Sequence, residues 1–362
     1  MDFELSDEQA MLRAASRDLL RDHSPADPAL WRLAAGLGWP GLAVPEEYGG
    51  TGQGLIELAL VAEDVGRSLG PVPFLPTVLV ARAVARGGSP RLRKEVLPAL
   101  AEGTTWASWA FAEPRSPWTL AGVGATARRT DGDTVVLDGV KTTVQDAEGA
   151  RWLLVTARHD GVPASFIVDR DAPGLSVRRQ QVLDLTRTVY EVRLDGVRVS
   201  LDRRLDDGPA AVQRLLDDAS VLAAADALGV MDHLLEMTVA YMKVRVQFGR
   251  PIGSFQAVKH KCASMAMHVH GTRAATAYAA MAADAGSRDA VPAACAAASY
   301  ASTAAGEVAG DALQLHGGIG FTWEHDLHLY LRRAKTDAVL YGDAAVHRDR
   351  LSALIRPEAV PT

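Results

Sequence analysis

Apolar residues recur at helical spacing along residues 1–104. Ser6 stands at a plausible helix start, and Met11, Ala15 and Leu19 follow it four positions apart. Further runs with this spacing cover residues 55–69, 75–85 and 90–102. The pattern predicts an all-α N-terminal domain that ends near residue 104.

The spacing changes between residues 105 and 205 to short runs of β-branched and aromatic residues. These runs cover residues 134–137, 151–156, 165–168, 175–177, 188–194 and 197–199. Turn signals such as Asp195-Gly196 separate them. Short strands at this spacing predict a middle domain that is an antiparallel β-barrel or sandwich.

Helical spacing returns from residue 206 and continues to residue 362. One face of the first long helix collects Leu228, Met231, Leu235, Val239 and Met242. Ser254 is expected to cap the helix that follows. The pattern predicts a C-terminal four-helix bundle, so the whole chain is expected to be an α+β multidomain protein with domains 1–104, 105–205 and 206–362.

Composition and net charge argue against nucleic-acid-binding, disulfide-rich and membrane-spanning classes of protein. A chain of 362 residues that is 48% hydrophobic can bury a large core, and its net charge of −6 argues against nucleic acid or an anionic membrane as the main partner. Cys262 and Cys295 lie in apolar helical runs and form no disulfide framework. The N-terminus lacks a signal sequence, and no run has the length of a membrane span. We therefore expect a cytoplasmic protein.

A glycine-rich turn follows the Ala-rich helix predicted at residues 293–315. Gly317 and Gly318 are expected to end that helix, and Gly320 keeps the turn open. Backbone N–H groups that no side chain covers suit a phosphate or the edge of a ring. A helix–loop–helix corner without a ligand explains the same glycine spacing, so this pattern alone leaves both interpretations open.

The sequence contains no convincing metal or dinucleotide motif. His325 and His328 share a helical face, but no third ligand stands at a suitable spacing, so no metal is expected. Gly122 and Gly124 precede a predicted strand rather than a helix, unlike a dinucleotide-binding fingerprint.

Four segments together carry a resemblance to a known family. They are Arg245-Val-Gln-Phe-Gly-Arg-Pro-Ile-Gly-Ser-Phe-Gln256, the segment 314–321, Phe111-Ala-Glu-Pro114 and the loop 42–50. In this order and on these element types, the chain resembles the acyl-CoA dehydrogenase family over essentially its full length. The resemblance implies that the middle domain is a central antiparallel β-barrel and that the chains form a dimer of dimers. It also implies an acyl-CoA substrate and FAD.

The resemblance assigns cofactor-binding roles to several positions. Arg245 and Phe248 match residues that reach the FAD of a neighbouring subunit, and Gln256 closes the same motif. Gln314, Gly317 and Gly318 match positions that contact the adenosine-diphosphate half of the cofactor. An arginine and exposed glycine amides are chemically suited to a pyrophosphate.

The positions on the flavin-ring side depart from the family pattern. Thr143 stands where the family usually has an aromatic residue, and Gln145 stands at the usual threonine. Gln145 can still hydrogen-bond a flavin. Trp118 follows Glu113-Pro114 in place of a small, glycine-rich turn, and we expect it to fill part of the ring pocket.

The glutamate that removes the α-proton in most members is also absent. Its position is Tyr341, and the nearest carboxylate, Asp343, is two residues out of register, so Asp343 is at best a candidate base. The alternative position of the glutamate is Ala219. Asp217 and Asp218 lie close to it, and we interpret them as part of a solvated helix face.

Short family members without the glutamate are partner subunits of actinobacterial α₂β₂ acyl-CoA dehydrogenases. We therefore expect this chain to complete the FAD site of a paralogous subunit that carries the glutamate. Two alternatives stay open. One is a homo-oligomeric flavoenzyme that uses Asp343 on another substrate, and the other is a flavin-free structural subunit.

Overall fold

The computed structural model describes residues 4–22, 29–130, 132–206 and 208–355. The outer ends of the first and third predicted domains, residues 1–3 and 356–362, therefore lie outside the described residues. The N-terminal part is helical, as predicted. Its helices are α1 (Asp7–Asp22), α2 (Leu30–Gly36), α3 (Leu55–Ser68), α4 (Phe74–Gly87) and α5 (Pro90–Ala101).

Local side-chain chemistry sets where these helices begin. The Gln9 amide N–H donates to Ser6 Oγ at 3.2 Å, and Gln9 Oε1 accepts from the Ser6 amide at 3.1 Å, so the two residues form a capping box at α1. At α5, Ser89 Oγ accepts from the Leu92 amide, and Pro90 supplies a preset backbone angle in the first turn.

One curled sheet forms the middle of the molecule. In the described part of the chain its strands are β1 (Ala107–Ala110), β2 (Thr126–Arg129), β3 (Thr134–Gln145), β4 (Trp152–His159), β5 (Val162–Asp169), β6 (Leu175–Arg179) and β7 (Val189–Ser200). Their order is β1-β4-β2-β3-β7-β6, and β5 pairs with β4.

The sheet is mainly antiparallel, as predicted, but β1 and β2 both run parallel to β4. Each of these strands has four residues and β4 has eight. β1 and β2 therefore lie one after the other along the same edge of β4, where β1 pairs with residues 152–155 and β2 pairs with residues 158–159. Alternation of apolar residues does not encode strand direction, so the sequence could not predict this arrangement.

The C-terminal part is a helical bundle. It contains α6 (Gly208–Val244), α7 (Gln256–Asp284), α8 (Ala290–His316), α9 (Leu327–Asp337) and α10 (Ala344–Ile355). A two-stranded hairpin, β8 (Val246–Gln247) and β9 (Arg250–Pro251), separates α6 from α7. Ser254 does not cap α7, because it lies in a short 3-10 turn and Phe255 occupies the N-cap position.

The N-terminal helices and the bundle are joined through glycine. A Cβ atom at Gly66 of α3 would collide with the backbone of Asp226 on α6, and one at Gly229 would collide with the backbone of Glu63 on α3. The two helices therefore cross in direct backbone contact, which fixes one domain against the other. Among the described helices, none is long and apolar enough to span a lipid bilayer.

Candidate functional site

The middle domain and the bundle meet where β3 ends. Gln145, the last residue of β3, donates from Nε2 to the phenol oxygen of Tyr341 at 3.0 Å. Both residues are buried. The structure therefore brings together Gln145 and the position of the expected glutamate, and the two side chains bond to each other.

Four aromatic rings surround this contact, and we call Trp109, Phe111, Trp118 and Tyr341 the aromatic cluster. The Trp109 ring lies nearly parallel to that of Tyr341, with centroids 6.2 Å apart, and the Trp118 ring meets Tyr341 edge-on at 5.0 Å. Phe111 stacks on Trp118 at 5.8 Å. The four rings therefore pack against one another beside the end of β3.

Two residues here have left-handed backbone angles that favour glycine. Tyr341 has φ +60° and Thr143 has φ +56°. At Thr143 the strand pairing between β3 and β7 shifts register, and its amide donates to Gln180 Oε1 at 3.1 Å. Burial raises the pKa of Tyr341, so its phenol stays protonated and serves as a neutral hydrogen-bonding group.

A buried charge cluster lies beside Tyr341 at the same domain boundary. Arg333 binds Asp226 through two hydrogen bonds of 2.9 and 2.7 Å, and Arg187 reaches Asp226 and Asp337. Burial alone would raise the pKa of Asp226, but the two guanidinium groups lower it to about 2. Burial raises the pKa of Asp337 well above its ordinary value. The cluster ties α6 and α9 to the loop before β7.

A buried lysine supports the segment that carries Trp118. Lys141 donates from Nζ to the Phe111 carbonyl at 3.0 Å and to Glu113 Oε1 at 2.7 Å. The same Glu113 oxygen accepts from the amides of Gly124 and Ala125. Burial lowers the pKa of Lys141 to about 8, against the opposing effect of Glu113. Sequence reasoning missed this role, since the two residues are distant in the chain.

The predicted phosphate-side residues lie elsewhere, at one exposed end of the bundle. Phe248 and Gly249 form the turn of the β8–β9 hairpin, both with positive φ, and Phe248 is 91% exposed. Arg245 is exposed, and its guanidinium has no hydrogen-bond or ion-pair partner among the described residues. Gln256 begins α7 and is also exposed.

The glycine turn after α8 lies at the same end. Tyr241 near the end of α6 stacks on His316 near the end of α8, with ring centroids 4.7 Å apart. Gln314, Gly317 and Gly318 are exposed. A Cβ at either glycine would meet no atom within 4 Å, so internal packing does not require glycine there. No side chain would keep a ligand from the Gly318 backbone, whereas the Gly317 amide already donates to the Leu313 carbonyl.

The exposed residues at this end of the bundle fit the adenosine-diphosphate half of an FAD molecule. An unpaired arginine, an exposed aromatic ring and the uncovered backbone of Gly318 suit the pyrophosphate and its nucleoside. The ring-side positions do not fit, because Gln145 and Tyr341 bond to each other and Trp118 lies against Tyr341. Trp118 belongs to the aromatic cluster, and its place in a flavin-ring pocket stays a prediction.

The candidate carboxylates have other partners. Asp343 is exposed, and its Oδ1 accepts from the Val346 amide at 2.9 Å, which makes it the cap of α10. The interpretation of Asp217 and Asp218 as a solvated face is wrong. Asp218 is buried between Arg82 and Arg86, and Asp217 pairs with Arg350, because α6 is enclosed by α4 and α10 there. Within the described residues no group of three His, Cys, Asp or Glu side chains could hold a metal ion.

Three family models match consecutive parts of the chain. The acyl-CoA dehydrogenase N-terminal domain matches residues 5–104, the middle domain matches residues 108–197, and the C-terminal domain matches residues 206–355.

Individual proteins match nearly the whole chain. Acyl-CoA dehydrogenase IpdE2 of Mycolicibacterium smegmatis is 33% identical over 96% of this chain and 99% of its own length. The solved Tcur3481-Tcur3483 steroid ACAD is 34% identical, with a TM-score of 0.87 and coverage of 96% of this chain and 98% of that one. The ChsE4-ChsE5 complex from Mycobacterium tuberculosis is 29% identical, with a TM-score of 0.91 and coverage of 99% and 100%. With these matches and the three-domain architecture, the chain belongs to the acyl-CoA dehydrogenase family of FAD-dependent oxidoreductases.

Proposed function

We propose that this chain is one of two different subunits of an acyl-CoA dehydrogenase and completes the FAD site of a partner that carries the catalytic glutamate. The observation that carries the proposal is the bond between Gln145 and Tyr341. This bond engages both side chains at the position where the resemblance to the family places the proton acceptor, which supports assigning that group to another chain.

Desaturation of an acyl-CoA requires a base for the α-proton, and the bound FAD accepts the hydride from the β-carbon. A buried phenol whose pKa is raised by burial is a poor base at neutral pH. Asp343 is not a substitute, because it is exposed and caps α10. The base and the acyl pocket are therefore assigned to the partner.

The contribution of this chain is to hold the phosphate end of the partner's cofactor. Arg245 would pair with the pyrophosphate, and Gly318 would offer a backbone N–H group beside it, while the Gly317 amide already donates to the Leu313 carbonyl. Phe248, on the hairpin, would cover part of the nucleoside. Both side chains are exposed. Phe248 meets only the Phe255 ring edge-on at 6.0 Å, and the Arg245 guanidinium has no hydrogen-bond or ion-pair partner among the described residues, as expected for groups that act across an interface.

The similar solved structures support both the partner and the substrate class. One is the ChsE4-ChsE5 complex, and the other is the Tcur3481-Tcur3483 steroid ACAD. We therefore propose a paralogous acyl-CoA dehydrogenase subunit as the partner and the CoA thioester of a steroid side chain as the substrate.

Co-expression with a glutamate-bearing paralogue tests the proposal. The purified complex should contain one FAD for each pair of unlike chains and should oxidise steroid acyl-CoA substrates. This chain purified alone should contain little flavin and show no activity. Isolation of the single chain as an active, FAD-loaded homo-oligomer would overturn the proposal.

A further inference from the structure

Arg245 and the glycine turn follow two different helices, and one buried ring joins the ends of these helices. The ring belongs to His316, the last residue of α8, which directly precedes Gly317. Its face stacks on Tyr241 near the end of α6, with ring centroids 4.7 Å apart and planes 11° from parallel. The Tyr241–His316 pair therefore connects the two helices that lead to the proposed phosphate-binding residues.

The tyrosine side of the pair leads directly to Arg245. The Tyr241 carbonyl accepts from the Arg245 amide at 2.9 Å, so the last turn of α6 continues to that residue. The Arg245 carbonyl accepts from the Ile252 amide at 2.8 Å, beyond the β8–β9 hairpin. The position of the Tyr241 backbone therefore sets where Arg245 and the hairpin with Phe248 begin.

The histidine side of the pair lies against the glycine turn. A Cβ atom at Gly320 would stand 3.2 Å from the Cβ atom of His316, so the turn packs closely on this residue. After the turn, the His325 ring meets the His316 ring edge-on, with centroids 5.0 Å apart. His316 is therefore contacted from α6, from the turn and from the segment that leads into α9.

The surroundings of His316 are those of a packing residue. The side chain is 3% exposed, and its Nδ1–H donates to the Ala312 carbonyl at 2.8 Å. Its Nε2 is buried and has no hydrogen-bond partner among the described residues. Burial lowers the pKa of the imidazole, so the ring is uncharged at neutral pH. An enclosed, neutral ring acts on a cofactor only through the elements that it holds in place.

We propose that the Tyr241–His316 pair positions the FAD site of the complex, because it holds Arg245 and Gly318 at a fixed separation from which both reach one pyrophosphate. This inference rests on the proposed function. FAD that binds to a preorganised surface does not have to order two independent helix ends, which raises its affinity. Loss of the ring contact lets the ends of α6 and α8 move separately.

The test is FAD affinity in the purified heteromeric complex, measured by flavin fluorescence as FAD is titrated into the flavin-depleted complex. His316→Ala and Tyr241→Ala should each weaken FAD binding about fivefold, as expected for loss of an aromatic pair. The double variant should lose little more than either single variant, because both remove the same contact. His316→Phe keeps a flat ring against Tyr241, so its affinity should stay within about twofold of the wild type.

A second histidine–tyrosine stack supplies the matched control. His233 lies earlier on α6, and its ring stacks on Tyr330 of α9 with centroids 4.4 Å apart. His233→Ala should lower Tm, as His316→Ala does, but should leave FAD affinity unchanged, because this stack joins α6 to α9 and not the ends of α6 and α8. Tyr241 is half-buried, so Tyr241→Ala tests the same contact where His316→Ala yields little folded protein.

Three results would overturn the inference. They are an equal loss of FAD affinity in His233→Ala and His316→Ala, a loss in the double variant that equals the product of the two single losses, and unchanged affinity in both single variants of the pair.

Arg245→Ala separates this inference from the proposed function. If Arg245→Ala weakens FAD binding and neither His316→Ala nor Tyr241→Ala does, the positioning role is wrong and the proposed function stands. If Arg245→Ala has no effect, the proposed FAD contact is wrong, and this inference is wrong with it.

Discussion

Gln145 Nε2 lies 3.0 Å from the phenol oxygen of Tyr341, and this hydrogen bond joins the sheet to the bundle at the residue that we predicted to replace the catalytic glutamate. Trp118 and Trp109 pack against the same tyrosine ring. The contact is therefore both a structural link between two domains and the reason why we assign the chemistry to another chain.

Removal of the phenol oxygen should destabilise the protein. Tyr341→Phe leaves the buried amide of Gln145 without its acceptor, and we expect a loss of about 1–3 kcal/mol in the free energy of unfolding. Urea denaturation measures it. Tyr241→Phe is the control, because Tyr241 stacks on His316 by its ring face, and this variant should stay within about 0.5 kcal/mol of the wild type. Equal losses in the two variants would show that the hydrogen bond contributes nothing.

Lys141 should make stability depend on pH in a defined window. Its pKa is about 8 in the folded chain, against 10.5 for an ordinary lysine. Between these values the unfolded chain binds the proton and the folded chain does not, so stability rises as pH increases from 8 to 10.5. The contribution amounts to about 3 kcal/mol.

The measurement is the difference in unfolding free energy between wild type and Lys141→Met across that window. The unfolding free energy of the wild type minus that of Lys141→Met should increase with pH, because the wild type gains stability in this window and methionine does not titrate. Lys94→Met is the matched control, because Lys94 is exposed on α5, and its difference from wild type should stay flat. A flat difference for Lys141→Met would contradict the burial argument.

Arg245 should contribute to cofactor affinity and not to folding. Arg245→Ala removes a guanidinium that has no partner among the described residues, so Tm should not change. In the complex with the partner subunit, FAD affinity should fall by at least tenfold, since a charge-assisted hydrogen bond contributes about 1.5–3 kcal/mol. Arg198→Ala, an exposed arginine on β7, is the control. Unchanged FAD affinity in Arg245→Ala would exclude the proposed contact.

Adding a side chain at Gly318 should affect FAD binding but not stability, whereas adding one at Gly66 should lower stability. Gly318→Val places atoms in open space, so stability should change by less than about 0.5 kcal/mol while FAD binding to the complex is lost. Gly66→Ala forces α3 away from α6 and should cost more than about 2 kcal/mol. Thermal unfolding and flavin absorbance measure the two effects. A Gly318→Val complex with full flavin content would contradict the proposed approach of the pyrophosphate.

Asp343 gives a direct test of the competing base. Asp343→Ala removes the cap of α10 and should cost about 1 kcal/mol. The activity of the heteromeric complex at saturating substrate should not change, because this carboxylate is exposed and is engaged with the Val346 amide. Loss of activity in a variant that retains its FAD would favour Asp343 as the base.

Much of the architecture follows from local patterns that the sequence carries by itself. Helical spacing in the first and last thirds, and short β-rich runs between them, determine the three-part fold, because burial of one face requires that periodicity. The run from Arg245 to Gln256 and the glycines at 317 and 318 indicate the family and FAD, since both motifs are contiguous in the chain.

The tertiary structure alone decided which distant side chains meet. Gln145 and Tyr341 are 196 positions apart, and no periodicity reveals that one donates to the other. The same holds for Lys141 with Glu113, and for Asp218, which looked like a surface residue until α4 placed Arg82 and Arg86 against it. Hydrogen bonds and ion pairs depend on distance in space, and packing between domains sets that distance after the local patterns have formed each element.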